Sequence, residues 1–182
     1  MPSKEILLAA LIAPGSVEAA LGKVQAALFH DHGLASAQAL PPWIPVAFLN
    51  DLPVSPGLLR ELNASVGAGW RMHLAGAVWV DGHLYAGVES GGVWTALRAR
   101  ALKACGAETG CLFPVAEGFF LGCGDSLPGQ RPGIRPALPE VSFSSCTIAL
   151  VSVRTASQGA EWWSDVSWEV REERPFRGRK EQ

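Results

Sequence analysis

The stretch PPWIPVAFLN, residues 41–50, carries a contradiction. Its apolar, β-rich residues read as a buried strand over 43–49, yet Pro45 lies inside it and Trp43 stands at its mouth. A proline removes a ladder donor and is tolerated only on an edge strand, at a strand start or at a bulge. Something other than plain strand stability accounts for the pair.

Working outward toward the N-terminus, ILLAALIA (6–13) reads as the core of a strand over 5–13, closed by Pro14-Gly15. A secretory leader is disfavoured because Glu5 spoils the positive region and Pro14-Gly15 follows at once. The run is also far short of the ~20 residues a membrane helix requires, so no membrane association is expected. Ser16 is a good N-cap for a helix over 17–30, with Gly33 beyond its end. His30 and His32 do not share a helix face at i and i+2, so a solvated helix end is favoured over a metal site.

Toward the C-terminus, Ser55-Pro56 opens a helix over 57–65. Runs 70–80 and 83–89 flank Asp81-Gly82, a strong hairpin signal. A helix over 93–104 follows, with Leu97 and Leu102 on its apolar side and Gly106 at its end. GFFLGC (118–123) is a short strand, and 124–139 is a long loop bearing Arg131 and Arg135. Strands over 141–153 and 161–170 form a final hairpin across turn residues 155–159. The expected plan is one α+β domain over 1–170 with antiparallel sheets, and a flexible C-terminal tail over 171–182.

The chain has 182 residues, 48% of them hydrophobic and 18% charged, with a formal net charge of −2. That balance excludes a disordered chain and a general basic footprint for nucleic acid. Cys105, Cys111, Cys123 and Cys146 form no CxxC, and no histidine stands at ligand spacing from them, which argues against zinc. Cys105 and Cys146 read as small core residues in a reducing cytoplasm, the expected location.

Two strands carry the functional reading. The first is Pro42-Trp43-Ile44-Pro45-Val46-Ala47-Phe48, and the second Glu117-Gly118-Phe119-Phe120-Leu121-Gly122. With LYAGVE (84–89), FSSCTIALVSV (143–153) and WWSDVSWEV (162–170), their order and spacing resemble the two-histidine (2H) phosphoesterase superfamily. That group includes 2′-5′ RNA ligase-like proteins and cyclic phosphodiesterases, and the resemblance spans about residues 5–170. It implies two pseudo-symmetric lobes of antiparallel sheet flanking a central cleft, with helices outside. Family members carry two His-x-Thr/Ser strands facing each other across that cleft. Here Trp43 and Gly118 occupy the histidine places, and Pro45 and Phe120 the Thr/Ser places.

In that family the histidines act as general base and acid on a phosphodiester, and the hydroxyls hold its oxygens. Imidazole suits this because it titrates near neutral pH; indole and hydrogen cannot do it. Each lost acid or base typically costs ~10² to 10⁴ in rate. The resemblance therefore implies a protein lacking two-histidine catalysis, with no catalytic residue, metal or cofactor expected.

Residues i and i+2 share a strand face, and the family's orientation implies that Trp43 and Pro45 face Gly118 and Phe120 across an apolar cleft, while Ile44, Val46, Phe119 and Leu121 face the core. In one reading the cleft binds a nucleotide, RNA end or other small ligand, with Trp43 and Phe120 stacking a flat group and Arg131 and Arg135 meeting a phosphate. In another, the aromatics fill the former site by packing on each other. Two further readings are an active cyclic phosphodiesterase or RNA ligase-like enzyme using a displaced residue such as His73, and an interaction module using whichever of Trp162 and Trp163 faces outward. A monomer is expected.

Overall fold

The computed structural model describes residues 4–49, 57–64, 66, 69–106, 108, 111–124, 133–156 and 161–177. The apolar run ILLAALI owes its continuity to its place in the middle of a sheet. Strand β1 (Lys4–Ile12) lies between β2 (Trp43–Leu49) and β7 (Ser145–Thr155), and β8 (Ser167–Arg177) completes the order β2-β1-β7-β8. Ala9 and Leu11 enter one apolar cluster while Ile6, Leu8 and Ala10 enter another. A strand buried on both faces needs no polar alternation.

The second sheet is built around the Asp81-Gly82 turn. Strands β3 (Met72–Val80) and β4 (His83–Glu89) pair across it, with φ of 45° at Asp81 and 79° at Gly82, the two positive φ values a type I′ turn requires. Adding β5 (Gly118–Cys123) and the short β6 (Ser142–Phe143) gives the order β5-β4-β3-β6. The fold is thus α+β, with two four-stranded antiparallel sheets and three α-helices among the described residues.

Helices α1 (Gly15–His32), α2 (Leu58–Ala64) and α3 (Val93–Cys105) all send buried apolar side chains into the larger cluster. Among the described residues, none from an α-helix belongs to the second cluster, which is built from strands of both sheets and from the connections bearing Leu40, Phe113 and Trp162. Helices therefore cover one side of the sheets and an aromatic cluster lies on the other. Among the described residues no helix is long and apolar enough to cross a membrane.

Several boundaries differ from the sequence reading for stateable reasons. Helix α1 begins at Gly15, and the Pro14 carbonyl accepts from Val17 N–H at 2.8 Å and Glu18 N–H at 3.0 Å, so Ser16 lies inside the helix rather than capping it. At its other end Gly33 takes φ 65° and donates to the Phe29 carbonyl, while His30 and His32 stand exposed. Ser55 and Pro56 lie outside the described residues.

The expected strand over 141–153 is two strands in different sheets, β6 and β7, separated by Ser144 alone. Trp162–Asp165 forms a 3₁₀ turn, not a strand. Residues 171–177 are no frayed tail, because β8 pairs with β7 as far as Arg177 and Phe176 is buried and stacked on Trp70 at 5.0 Å.

Candidate functional site

Pro45 sits where its missing N–H does least harm. Strand β2 is an edge of its sheet, and pairs Ala9 with Ala47 but Ala10 with Pro45, leaving Val46 as the extra residue of a bulge. The bulge shifts the alternation by one. Ile44, Val46, Ala47 and Leu49 therefore face the helices, while Trp43 and Phe48 lie on the aromatic side. Pro45, opposite Ala10, shares that second face.

Helix α3 braces the bulged edge. Trp94 Nε1 donates to the Pro45 carbonyl at 2.9 Å, and Arg98 Nη1 donates to the Val46 carbonyl at 2.8 Å. Arg98 also meets Glu108 through both guanidinium nitrogens, at 3.1 and 2.6 Å, and Glu108 Oε1 accepts the Phe48 N–H at 2.8 Å. The open edge of β2 is thereby hydrogen-bonded without a further strand, as exposed sheet edges require.

Gly118 begins β5 opposite Gly87, which in turn pairs with Gly76. A Cβ on Gly118 would stand 2.7 Å from the Ala86 carbonyl oxygen and 3.1 Å from the Cβ of Tyr85. The contact is with backbone, so no rotamer relieves it. The residue before it, Glu117, is spent on structure: its carboxylate accepts from the Ser90 hydroxyl and from Ser90 N–H, and its carbonyl from Val88 N–H.

Trp43 and Phe120 both enter the cluster between the sheets, at 4% and 1% exposure. Phe113 is its hub, with ring centroids 5.0 Å from Phe48, 4.9 Å from Phe120 and 5.2 Å from Trp162. Tyr85 meets Phe120 edge-on at 5.8 Å, and its hydroxyl donates to the Pro114 carbonyl. Burial pushes that phenol far above its ordinary pKa. Trp43 meets Trp168 edge-on at 5.0 Å, and Trp168 is the exposed member at 45%. Such pairs contribute ~0.5–1.5 kcal/mol each beyond their buried area.

The cluster is not fully satisfied. Trp162 is 2% exposed and Trp163 half-buried, and both indole Nε1 atoms are buried without an acceptor among the described residues. Neither tryptophan stands exposed, because the turn tucks both against the cluster, which removes the outward-facing residue expected of a regular strand.

His83 is the histidine that borders this cluster, with its ring 6.3 Å from both Phe113 and Phe120. Its Nδ1 lies 2.9 Å from the Asp81 carbonyl, which suits Nδ1–H as donor. Burial lowers its pKa from the ordinary histidine value. Directly across the ladder stands Cys123, buried and held through its backbone by the Ser36 hydroxyl. His73 is exposed at the far end of β3, opposite Glu89 and Ser142.

Of the two loop arginines, Arg135 is the one among the described residues, and Arg131 lies outside them. Arg135 stands exposed beside Trp79 on β3, two strands away from β5, because Ile134 and Leu138 pack against the main core and Trp79 Nε1 bonds the Ile134 carbonyl at 3.1 Å. Sequence reasoning missed Phe113 and the position of His83 beside Phe120. The first comes from a connection without strand or helix pattern, and the second depends on cross-strand register, which is non-local.

No protein-family model matches the sequence, and no curated protein matches it. Among solved structures, the crystal structure of TT0787 of Thermus thermophilus superposes with a TM-score of 0.62 at 18% identity, covering 96% of this chain and 100% of that one. The likeness shows a shared fold.

Proposed function

We propose that this protein is a 2H phosphoesterase-like scaffold of the 2′-5′ RNA ligase kind that has lost two-histidine catalysis and works by binding. One observation carries the reading: at Gly118, which the resemblance puts in the place of the second histidine, a Cβ would lie 2.7 Å from a backbone oxygen. Further support comes from Trp43 and Phe120, which lie in a buried aromatic cluster where an acid, a base and a phosphate would need room. His83 is a single imidazole without a second one beside it among the described residues, so the two-histidine form of acid–base catalysis lacks its pair there.

The test is incubation with 2′,3′-cyclic nucleotides and 2′-5′-linked oligonucleotides. No turnover is expected. Turnover abolished by His73→Ala or His83→Ala overturns the proposal.

A second reading, that the cluster receives a flat ligand, is favoured by the indole donors of Trp162 and Trp163, which have no acceptor among the described residues. An unmet buried donor costs about 1–3 kcal/mol, which a ligand carbonyl or phosphate oxygen would recover. Tryptophan fluorescence titrated with nucleotides and short RNA decides it: an unchanged spectrum removes this second reading.

A further inference from the structure

Among the described residues, strand β3 has an open edge beyond its short pairing with β6. Strand β6 pairs only with its first two residues, Met72 and His73, and the next backbone bond on that side runs from Leu74 N–H to the Val141 carbonyl. The register across Asp81-Gly82 shows what lies beyond. In a two-residue hairpin the closing pair, Val80 with His83, is hydrogen-bonded, and bonded and non-bonded pairs then alternate. Ala77 and Trp79 fall at non-bonded pairs with Ala86 and Leu84, so their N–H and C=O groups point away from β4. Among the described residues no hydrogen bond meets those four backbone groups.

The segment over 133–141 runs past this edge without closing it. Its Pro136 and Pro139 have no N–H to donate. Ile134 touches the strand through its carbonyl, bonded to the indole of Trp79 rather than to backbone. Between strand and segment lies a groove of about 610 Å³, walled by Val78, Trp79, Ile134 and Pro136, with Arg135 as its one charged lining residue among those described. Val78 is 42% exposed, and Arg135 is exposed without an ion pair among the described residues.

We propose that this groove binds an extended acidic peptide, which adds as a strand along Ala77–Trp79 and places a carboxylate on Arg135. The spacing supports a strand. Groups two residues apart on one edge repeat about every 6.6–6.8 Å, matching the donors and acceptors of another extended chain. The charge supports an acid, since a guanidinium beside apolar walls pairs with a carboxylate through two parallel hydrogen bonds. The groove shares no lining residue with the aromatic cluster.

Fluorescein-labelled seven-residue peptides of alternating threonine and valine, with one glutamate moved through each position, test this by fluorescence anisotropy. One glutamate position is expected to bind best. Replacement by glutamine, or Arg135→Gln in the protein, should weaken binding about tenfold, the scale of one charge-assisted hydrogen bond.

Ala77→Pro should abolish binding while leaving the circular dichroism spectrum and melting midpoint close to wild type, because that N–H makes no ladder bond. Peptides N-methylated at alternate residues give the same answer without altering the protein: methylation on one parity abolishes binding and on the other does not. The proposal is overturned if no acidic peptide binds, or if binding ignores both Arg135→Gln and N-methylation. It is equally overturned if a single-stranded oligonucleotide displaces the peptide competitively. Self-association lost in Ala77→Pro would assign the edge to a second copy of the chain instead.

Discussion

Gly118 shows how one missing atom can fix what a strand may carry. Its α-carbon faces the backbone of β4 so closely that a methyl group would sit 2.7 Å from the Ala86 oxygen, inside any real contact. Relief requires shifting β4 or β5, both buried in the second sheet. Gly118→Ala is therefore expected to lower unfolding free energy by about 1–3 kcal/mol, the usual range for overpacking. Gly133→Ala, where nothing lies within 4 Å, should leave it unchanged. Urea unfolding of the two variants beside wild type makes the comparison, and equal stabilities would refute the steric account.

At the scale of elements, the bulge in β2 resolves a proline that looked misplaced, and α3 supplies what the bulge removed. Arg98→Ala would leave the Val46 carbonyl and a partly buried Glu108 without their partner. The expected loss is about 1–3 kcal/mol, as for a hydrogen bond involving a charged group. A double-mutant cycle with Glu108→Gln should give a coupling of about 0.5–3 kcal/mol; strict additivity would show that the pair is ornamental.

The elements themselves were largely legible in the sequence, and the reasons are local. Asp-Gly between two apolar runs can do little but turn, and Pro14-Gly15 and Gly106 interrupt chain that would otherwise continue. What stayed hidden depends on partners distant in sequence. Nothing near Ser144 announces that the chain changes sheets there. Trp162 reads as a strand residue until the cluster around Phe113 is known. The candidate site was legible as a pair of strands, but not as a packed cluster, since Phe113 supplies its hub from a connection without periodicity.

At the scale of the molecule, the two described ends of the chain are tied into one sheet. Glu5 on β1 accepts hydrogen bonds from the Ser152 hydroxyl on β7 at 2.5 Å and from Arg171 on β8 at 2.9 Å, with Arg154 at 3.4 Å. These partners, Ser152 foremost and then the arginines, hold its carboxyl at a pKa of about 2. Because the folded value lies below the unfolded one, the stabilisation is complete above the ordinary carboxylate range and is lost as pH falls through about 2. Wild type should melt above Glu5→Gln at neutral pH, and the two should converge on acidification toward pH ~2. Parallel melting curves at every pH would show that Glu5 contributes nothing.

The same sheet has a mechanical consequence. Strands β1 and β8 both run antiparallel to β7, with Lys4 opposite Thr155 at one end and Arg177 opposite Ser145 at the other. A force applied at Lys4 and Arg177 therefore slides β1 and β8 along β7 in opposite directions. It strains the rungs of both ladders together instead of peeling them one by one, and the molecule resists stretching along the axis where its polypeptide begins and ends its described path.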